Sequence, residues 1–258
     1  MRTVKDVFIH LNKLADVKLA ENWDNVGLLL GNNNNEVNKV LVCLDVTTDV
    51  VEEAIANNVN LIVSHHPLIF KPLKSLDFTS DFKSRIIRDL IKNDISVISF
   101  HTNLDSATLG LNDYLAKLLK LEDIQVLFEH NLDKTAGLGR IGKLSSPLKY
   151  SDFITYLKDK FSLGNVAVVI GDKKEISTVA LLGGSGADFI YTLPEVDVYL
   201  TGDVGYHVAL DAIEMKKNII DIGHYTESLV KDLLLDYISE LNIEVIKSTV
   251  EKSPFTIL

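Results

Sequence analysis

The chain has 258 residues, of which 47% are hydrophobic and 24% charged, so it can bury one large core or two smaller ones and is not a disordered chain. Its formal net charge of -10 repels phosphate backbones at long range and disfavours general nucleic-acid binding. A small anionic substrate is compatible with that charge, because local lysines and arginines can still hold phosphates.

The first residues, 3–11, read as an amphipathic helix and not as a signal peptide. Strands are expected at 39–44, 60–63, 95–100, 166–170, 178–182, 196–200, 219–222 and 243–247, all rich in Val and Ile and bounded by polar residues. Helices are expected at 49–57, 80–92, 111–119, 150–161, 208–215 and 228–241. Strand followed by helix, repeated along the chain, predicts an α/β architecture with largely buried sheets. No apolar run approaches the roughly 18 residues that cross a bilayer, and a cytoplasmic protein is expected. The only cysteine, Cys43, lies inside an apolar run and reads as a small buried hydrophobe; it excludes an intrachain disulfide and a cysteine-rich zinc site. A soft division near residues 125–135 gives two interlinked halves, 1–125 and 126–258. The second opens with alternating glycines at Gly137, Gly139 and Gly142, which suggest an edge strand or a closely approached backbone.

The chemistry collects where strands end. One expected strand runs into His65-His66-Pro67, a second into His101 with Asp105 four residues on, and a third into His224 with Glu227 three residues on. In α/β sheets, loops at the C-terminal strand edge converge on ligands. Pro67 stops the ladder and restricts His66 to extended conformations, so the two adjacent imidazoles need not point apart. If the segment after His101 closes into a helical turn, His101 and Asp105 share a face. Four histidines and two carboxylates exceed the needs of one tetrahedral ion and fit two ions bridged by a carboxylate and water, with Glu227 as the bridge. A donor set without thiolate suits zinc, manganese, iron, cobalt or nickel. The competing explanation, that each strand-end histidine is structural, weakens when three clusters occupy equivalent positions.

Weaker signals surround this set. Asp203 and His207 read either as a supporting or substrate-facing pair or, for Asp203, as a helix cap. Asp45 reads as a helix cap. The Gly183–Gly186 loop reads as a tight turn, since it lacks the ending of a phosphate-binding loop. Lys71, Lys74 and Arg140 are either phosphate contacts or solvated surface charge. His10 and His130 lack supporting residues and stay outside the site.

The segments Trp23-Asp24-Asn25-Val26-Gly27-Leu28, Ser64-His65-His66-Pro67-Leu68-Ile69-Phe70, His101-Thr102-Asn103-Leu104-Asp105, Gly183-Gly184-Ser185-Gly186, Thr201-Gly202-Asp203-Val204-Gly205-Tyr206-His207 and Gly223-His224-Tyr225 resemble, in order, the motifs of the GTP cyclohydrolase I type 2 family, also called NIF-three-like or YbgI-like. The resemblance runs from about residue 20 to 230. It implies two interlinked α/β domains with mixed sheets, a metal site at strand C-terminal ends in the cleft between them, and a ring-shaped homohexamer. It implies a dinuclear centre held by His65, His66, Asp105, His224 and Glu227, with His101 as a further site histidine. The chain is too short for the middle insertion domain of longer members.

The activity implied by the family's name is hydrolytic opening of the GTP imidazole ring to formate and dihydroneopterin triphosphate. Activated water would attack C8, a second ion or His101 would handle protons, and basic residues would hold the triphosphate. Two alternatives remain open. The centre could hydrolyse another substrate, a phosphoester or cyclic amide, or the protein could be a non-catalytic metal-binding ring scaffold.

Overall fold

The structure is a computed structural model and describes residues 2–256. In chain order the elements are α1 (Val4–Leu14), β1 (Gly27–Leu30), β2 (Lys39–Cys43), α2 (Thr48–Ala56), β3 (Leu61–Ser64), α3 (Phe82–Lys92), β4 (Ser96–Ser99), α4 (Thr102–Ser106), α5 (Leu111–Leu118), β5 (Glu122–Glu129), β6 (Gly137–Lys149), α6 (Tyr150–Phe161), β7 (Ala167–Val169), β8 (Glu175–Leu181), β9 (Val198–Thr201), α7 (Tyr206–Glu214), β10 (Ile219–Asp221), α8 (Val230–Ser239) and β11 (Glu244–Lys247). The α/β expectation holds, and both sheets are mixed. No helix among the described residues is long and apolar enough to cross a membrane.

The chain forms two compact units, Met1–Ala107 with Ser228–Leu258, and Thr108–Glu227. This division differs from the expected 1–125 and 126–258. The chain leaves the first unit earlier, and α8 and β11 return to it, because β11 finds its hydrogen-bonding partner in β2. A strand's sequence records its burial but not which sheet it joins.

The sheet of the first unit has the order β1-β4-β3-β2-β11. β11, β2, β3 and β4 are parallel, and β1 runs antiparallel to β4. β3 and β4 are buried along their whole length and β2 in all but its first residue, as parallel strands covered on both faces must be. Alternate residues Leu41, Cys43, Ile62 and Val97 pack with Val50, Val51 and Ala54 of α2 and with Ile86, Ile87 and Leu90 of α3. Cys43 is buried there as expected. α1 is started by a reciprocal cap, in which the Asp6 amide donates to the Thr3 hydroxyl and the Thr3 amide to the Asp6 carboxylate.

The sheet of the second unit has the order β5-β6-β8-β9-β10-β7. β8, β9 and β10 are parallel and the remaining pairs antiparallel. β6 is an interior strand and not an edge. Gly139, at φ +67°, leaves a space where a Cβ would stand 2.8 Å from the Leu181 carbonyl of β8, so the close-approach reading of these glycines is the one that holds. Two strands escape the sequence reading. β1 is only partly buried after its first residue and β5 is half exposed, so neither shows a buried apolar run.

Candidate metal centre

Strand register explains why three groups of the first unit meet. Cys43, Ser64 and Ser99 stand side by side in β2, β3 and β4. Two residues past this row lie Asp45, His66 and His101. Adjacent strands are about 4.8 Å apart, and the His66 and His101 rings are 5.5 Å apart between centroids. His65, one residue earlier, completes a near-equilateral triangle, 5.2 Å from His66 and 5.3 Å from His101. One nitrogen from each ring lies within 4.8 Å of the others.

Each ring is held at Nδ1. His65 donates Nδ1–H to the Phe100 carbonyl at 2.8 Å, His66 to Asp45 Oδ1 at 2.9 Å, and His101 to Asp24 Oδ1 at 2.9 Å. A carbonyl or carboxylate oxygen only accepts, so Nδ1 carries the proton and Nε2 carries the lone pair. Asp24 is fixed in turn. Its Oδ2 accepts from the Thr102 amide at 3.1 Å and the Thr102 hydroxyl at 2.5 Å. Burial alone would raise the Asp24 carboxyl, but the hydrogen bonds from His101 and Thr102 outweigh it and hold it at about 2.

His101 is the residue before α4, and the Asp105 amide donates to its carbonyl at 3.0 Å, so the expected helical turn forms. Asp105 is buried, and its Oδ1 lies 3.5 Å from His65 Nε2. His65 itself is fully buried.

The second unit repeats the arrangement at its own strand ends. Leu181, Leu200 and Ile220 are in register across β8, β9 and β10, and three residues past them lie Gly184, Asp203 and Gly223. His224 follows at the start of the 3-10 turn His224–Leu229, which also carries Glu227. His224 donates Nδ1–H to Asp203 Oδ2 at 2.7 Å, and its Nε2 stands 3.1 Å from Glu227 Oε2. Asp203 also accepts from the Ser185 hydroxyl. Burial raises its carboxyl, but these two bonds prevail and lower it below the usual carboxylate range. The glycine loop has a local purpose. At Gly184, φ is +65° and a Cβ would lie 3.0 Å from the Glu227 carboxyl carbon, so only glycine leaves the cradle in which this buried carboxylate sits.

The first unit therefore brings together His65, His66, His101 and Asp105, and the second brings together His224 and Glu227. Both donor sets suit a divalent cation. Two ligands of one ion, with bonds of about 2.1 Å, stand roughly 3.0 Å apart in octahedral and 3.4 Å apart in tetrahedral geometry. The Nε2-to-carboxylate spacings of 3.5 Å and 3.1 Å fall at these values. Nδ1–H bonds to carboxylates or carbonyls are the usual outer support of a metal-ligating histidine.

Several weaker readings change. Asp45 is not the cap of α2, whose cap is Thr47; it supports His66. Asp203 is not a helix cap either, since Gly205 precedes α7. His207 lies edge-on to Tyr206 and belongs to none of the donor groups. Arg140 is neither phosphate contact nor surface charge. It is buried, pairs with Asp113 at 2.6 Å, and donates to the Gly137 and Gly139 carbonyls. Lys71 and Lys74 lie on an exposed segment. His10 bonds the Tyr237 carbonyl and His130 accepts from the Leu132 amide, both outside the donor groups as expected. Sequence reasoning gave Asp24 no role. Its one signal is that it lies beside Trp23 in a motif carrying the resemblance.

The family Duf34/NIF3 (NGG1p interacting factor 3) matches residues 2–254. The chain belongs to this family. A relative from Lactococcus lactis subsp. lactis, named GTP cyclohydrolase 1 type 2 homolog, is 36% identical over 98% of both chains. A Clostridium perfringens relative of the same name is 34% identical over 98% of both chains. Among solved structures, a Staphylococcus aureus hypothetical protein matches with a TM-score of 0.91 at 34% identity, covering 99% of both chains. The resemblance drawn from the motifs is thus shown over nearly the full length.

Proposed function

We propose that His65, His66, His101, Asp105, His224 and Glu227 together hold two divalent ions, with Glu227 as the bridge, and that the loaded centre is a hydrolase acting on GTP. The observation that carries the metal reading is the shared tautomer. Four imidazoles have Nδ1 committed to an acceptor, so all four offer Nε2. Nitrogen and carboxylate donors without thiolate suit zinc, manganese, iron, cobalt or nickel. Ions of this kind supply Lewis acidity and lower the pKa of bound water.

The GTP assignment is supported by the names the relatives carry and by the surroundings of the histidine triangle. Trp23 is 60% exposed and stands edge-on to His101 at 6.2 Å and to Phe70 at 5.8 Å. Its loop is bolted down, with the Asn25 amide donating to the Ile69 carbonyl and Asp24 bonded to His101. A rigid loop presenting an indole to solvent supplies a stacking wall for a planar base. Lys71 and Lys74 follow on the same exposed segment and offer charge to a triphosphate. His101, whose ring Asp24 orients through Nδ1, serves either as a ligand through Nε2 or, where Nε2 carries no metal, as the group that moves protons during opening of the imidazole ring. The exposed α7 residues Tyr206, Leu210 and Ile213, spaced to share one helix face, support assembly of several copies, for which the homohexamer is the expectation.

The test is release of formate from GTP labelled with carbon-13 at C8, followed by NMR. Metal-loaded protein should form formate and dihydroneopterin triphosphate, and the H66A variant or chelator-treated protein should not. Absence of formate together with cleavage of a phosphodiester or cyclic amide would replace GTP by another substrate. Metal binding with no turnover, and cellular function retained by E227A, would make the protein a scaffold.

A further inference from the structure

We infer that Glu251, in the segment after β11, is a positioning residue of the metal centre acting through Asp45 and His66. The inference rests on the reading of His66 as a metal ligand.

The Glu251 carboxylate is 4% exposed and spans two tasks. Its Oε1 accepts from the Leu44 amide at 2.9 Å and from the Asp45 amide at 2.8 Å. Its Oε2 receives Lys231 of α8 at 3.1 Å. The clamped dipeptide is the one that holds His66 twice. The Leu44 carbonyl accepts from the His66 backbone amide at 2.9 Å, and the Asp45 carboxylate accepts from the His66 ring at 2.9 Å. Without Glu251, two consecutive amides just past β2 would lose a charged acceptor, and Asp45, whose side chain is 53% exposed, would lose its fixed backbone. Lys231 holds the Glu251 carboxylate in place, and also donates to the Ser248 carbonyl at 3.1 Å.

The same segment has an independent tether. The Thr249 amide and hydroxyl donate to Glu53 Oε1 at 2.9 and 2.7 Å, whereas the Leu44 and Asp45 amides bond Glu251. That separation supplies a control. Fastening the segment and aiming His66 are tasks of different residues.

The experiment measures zinc affinity of the full chain by competition with a chromophoric chelator, beside the thermal midpoint of the metal-free protein. E251A should weaken zinc binding about tenfold, the lower end of losses seen when an outer partner of a ligating histidine is removed. E251Q keeps a carbonyl oxygen for both amides and should restore most of that loss, which also covers the case in which E251A folds poorly. T249V should lower the thermal midpoint with zinc affinity unchanged. Unchanged affinity in E251A, or equal weakening by T249V and E251A, would overturn the positioning role while leaving the metal reading intact. A wild-type chain that takes up no zinc, manganese or cobalt would end both.

Discussion

Asp24 accepts the His101 ring proton with one oxygen, at 2.9 Å, and binds both the amide and the hydroxyl of Thr102 with the other. One carboxylate thereby fixes an imidazole and the first residue of the helix that carries Asp105. Asp24→Ala should lower metal affinity by about 10- to 100-fold, the range for losing an outer partner of a ligating histidine. It should also destabilise the fold by about 1–3 kcal/mol, because the Thr102 amide and the His101 Nδ1–H lose their acceptor. Zinc competition and urea denaturation of the metal-free protein measure the two effects separately. A variant with normal affinity would remove Asp24 from the centre.

Gly184→Ala places a methyl group against the buried Glu227 carboxylate at a backbone angle that alanine disfavours. The strained backbone alone costs about 1–3 kcal/mol, and displacement of Glu227 should reduce bound metal per chain. Elemental analysis after dialysis against zinc reads the second effect. Full metal content in a folded G184A protein would show that the cradle is not required.

The chain has one tryptophan, so its fluorescence reports a single place. Trp23 lies 6.2 Å from the His101 ring, close enough for a paramagnetic ion at the triangle to quench it. Titration with cobalt should lower emission saturably, and titration with zinc should leave a smaller change. H66A should shift the cobalt curve to higher concentration. Emission indifferent to cobalt, in protein shown to bind it, would place the ion elsewhere.

Trp23→Ala should weaken nucleotide binding by about tenfold, since stacking on an aromatic ring is worth roughly 1–3 kcal/mol per base. Metal affinity should remain, because Asp24 and not the indole holds His101. Calorimetric titration of the metal-loaded protein with GTP checks this, and equal affinity in W23A would leave the exposed indole to another partner.

Arg140 and Asp113 form a buried ion pair at 2.6 Å, and the guanidinium also donates to the Gly137 and Gly139 carbonyls. Removing one partner leaves a buried charge, so Asp113→Ala should cost about 3–5 kcal/mol. A double replacement by apolar residues of similar volume should recover much of that loss. Denaturant midpoints of the single and double variants decide it.

The sequence by itself determined what the strands were and what stood at their ends. Val- and Ile-rich runs marked the strands, among which β2, β3 and β4 are buried and parallel while β7 is an exposed antiparallel edge, and the histidines stand just past the C-terminal ends of buried runs. That much located His65, His66, His101 and His224, and the four-residue step to Asp105 foretold the turn that forms. Tertiary structure decided the rest, because pairing partners are not written locally. Register across β2, β3 and β4 set Asp45 beside His66, turning an apparent helix cap into a support. A long-range return of the chain brought Glu251 to the Leu44 and Asp45 amides from 206 or more residues away. Arg140 read as a surface charge because its partner Asp113 lies on a different element, 27 residues earlier. Burial periodicity is a property of neighbouring residues and is legible in order; hydrogen bonds that aim a side chain join residues whose proximity exists only after the sheets have formed.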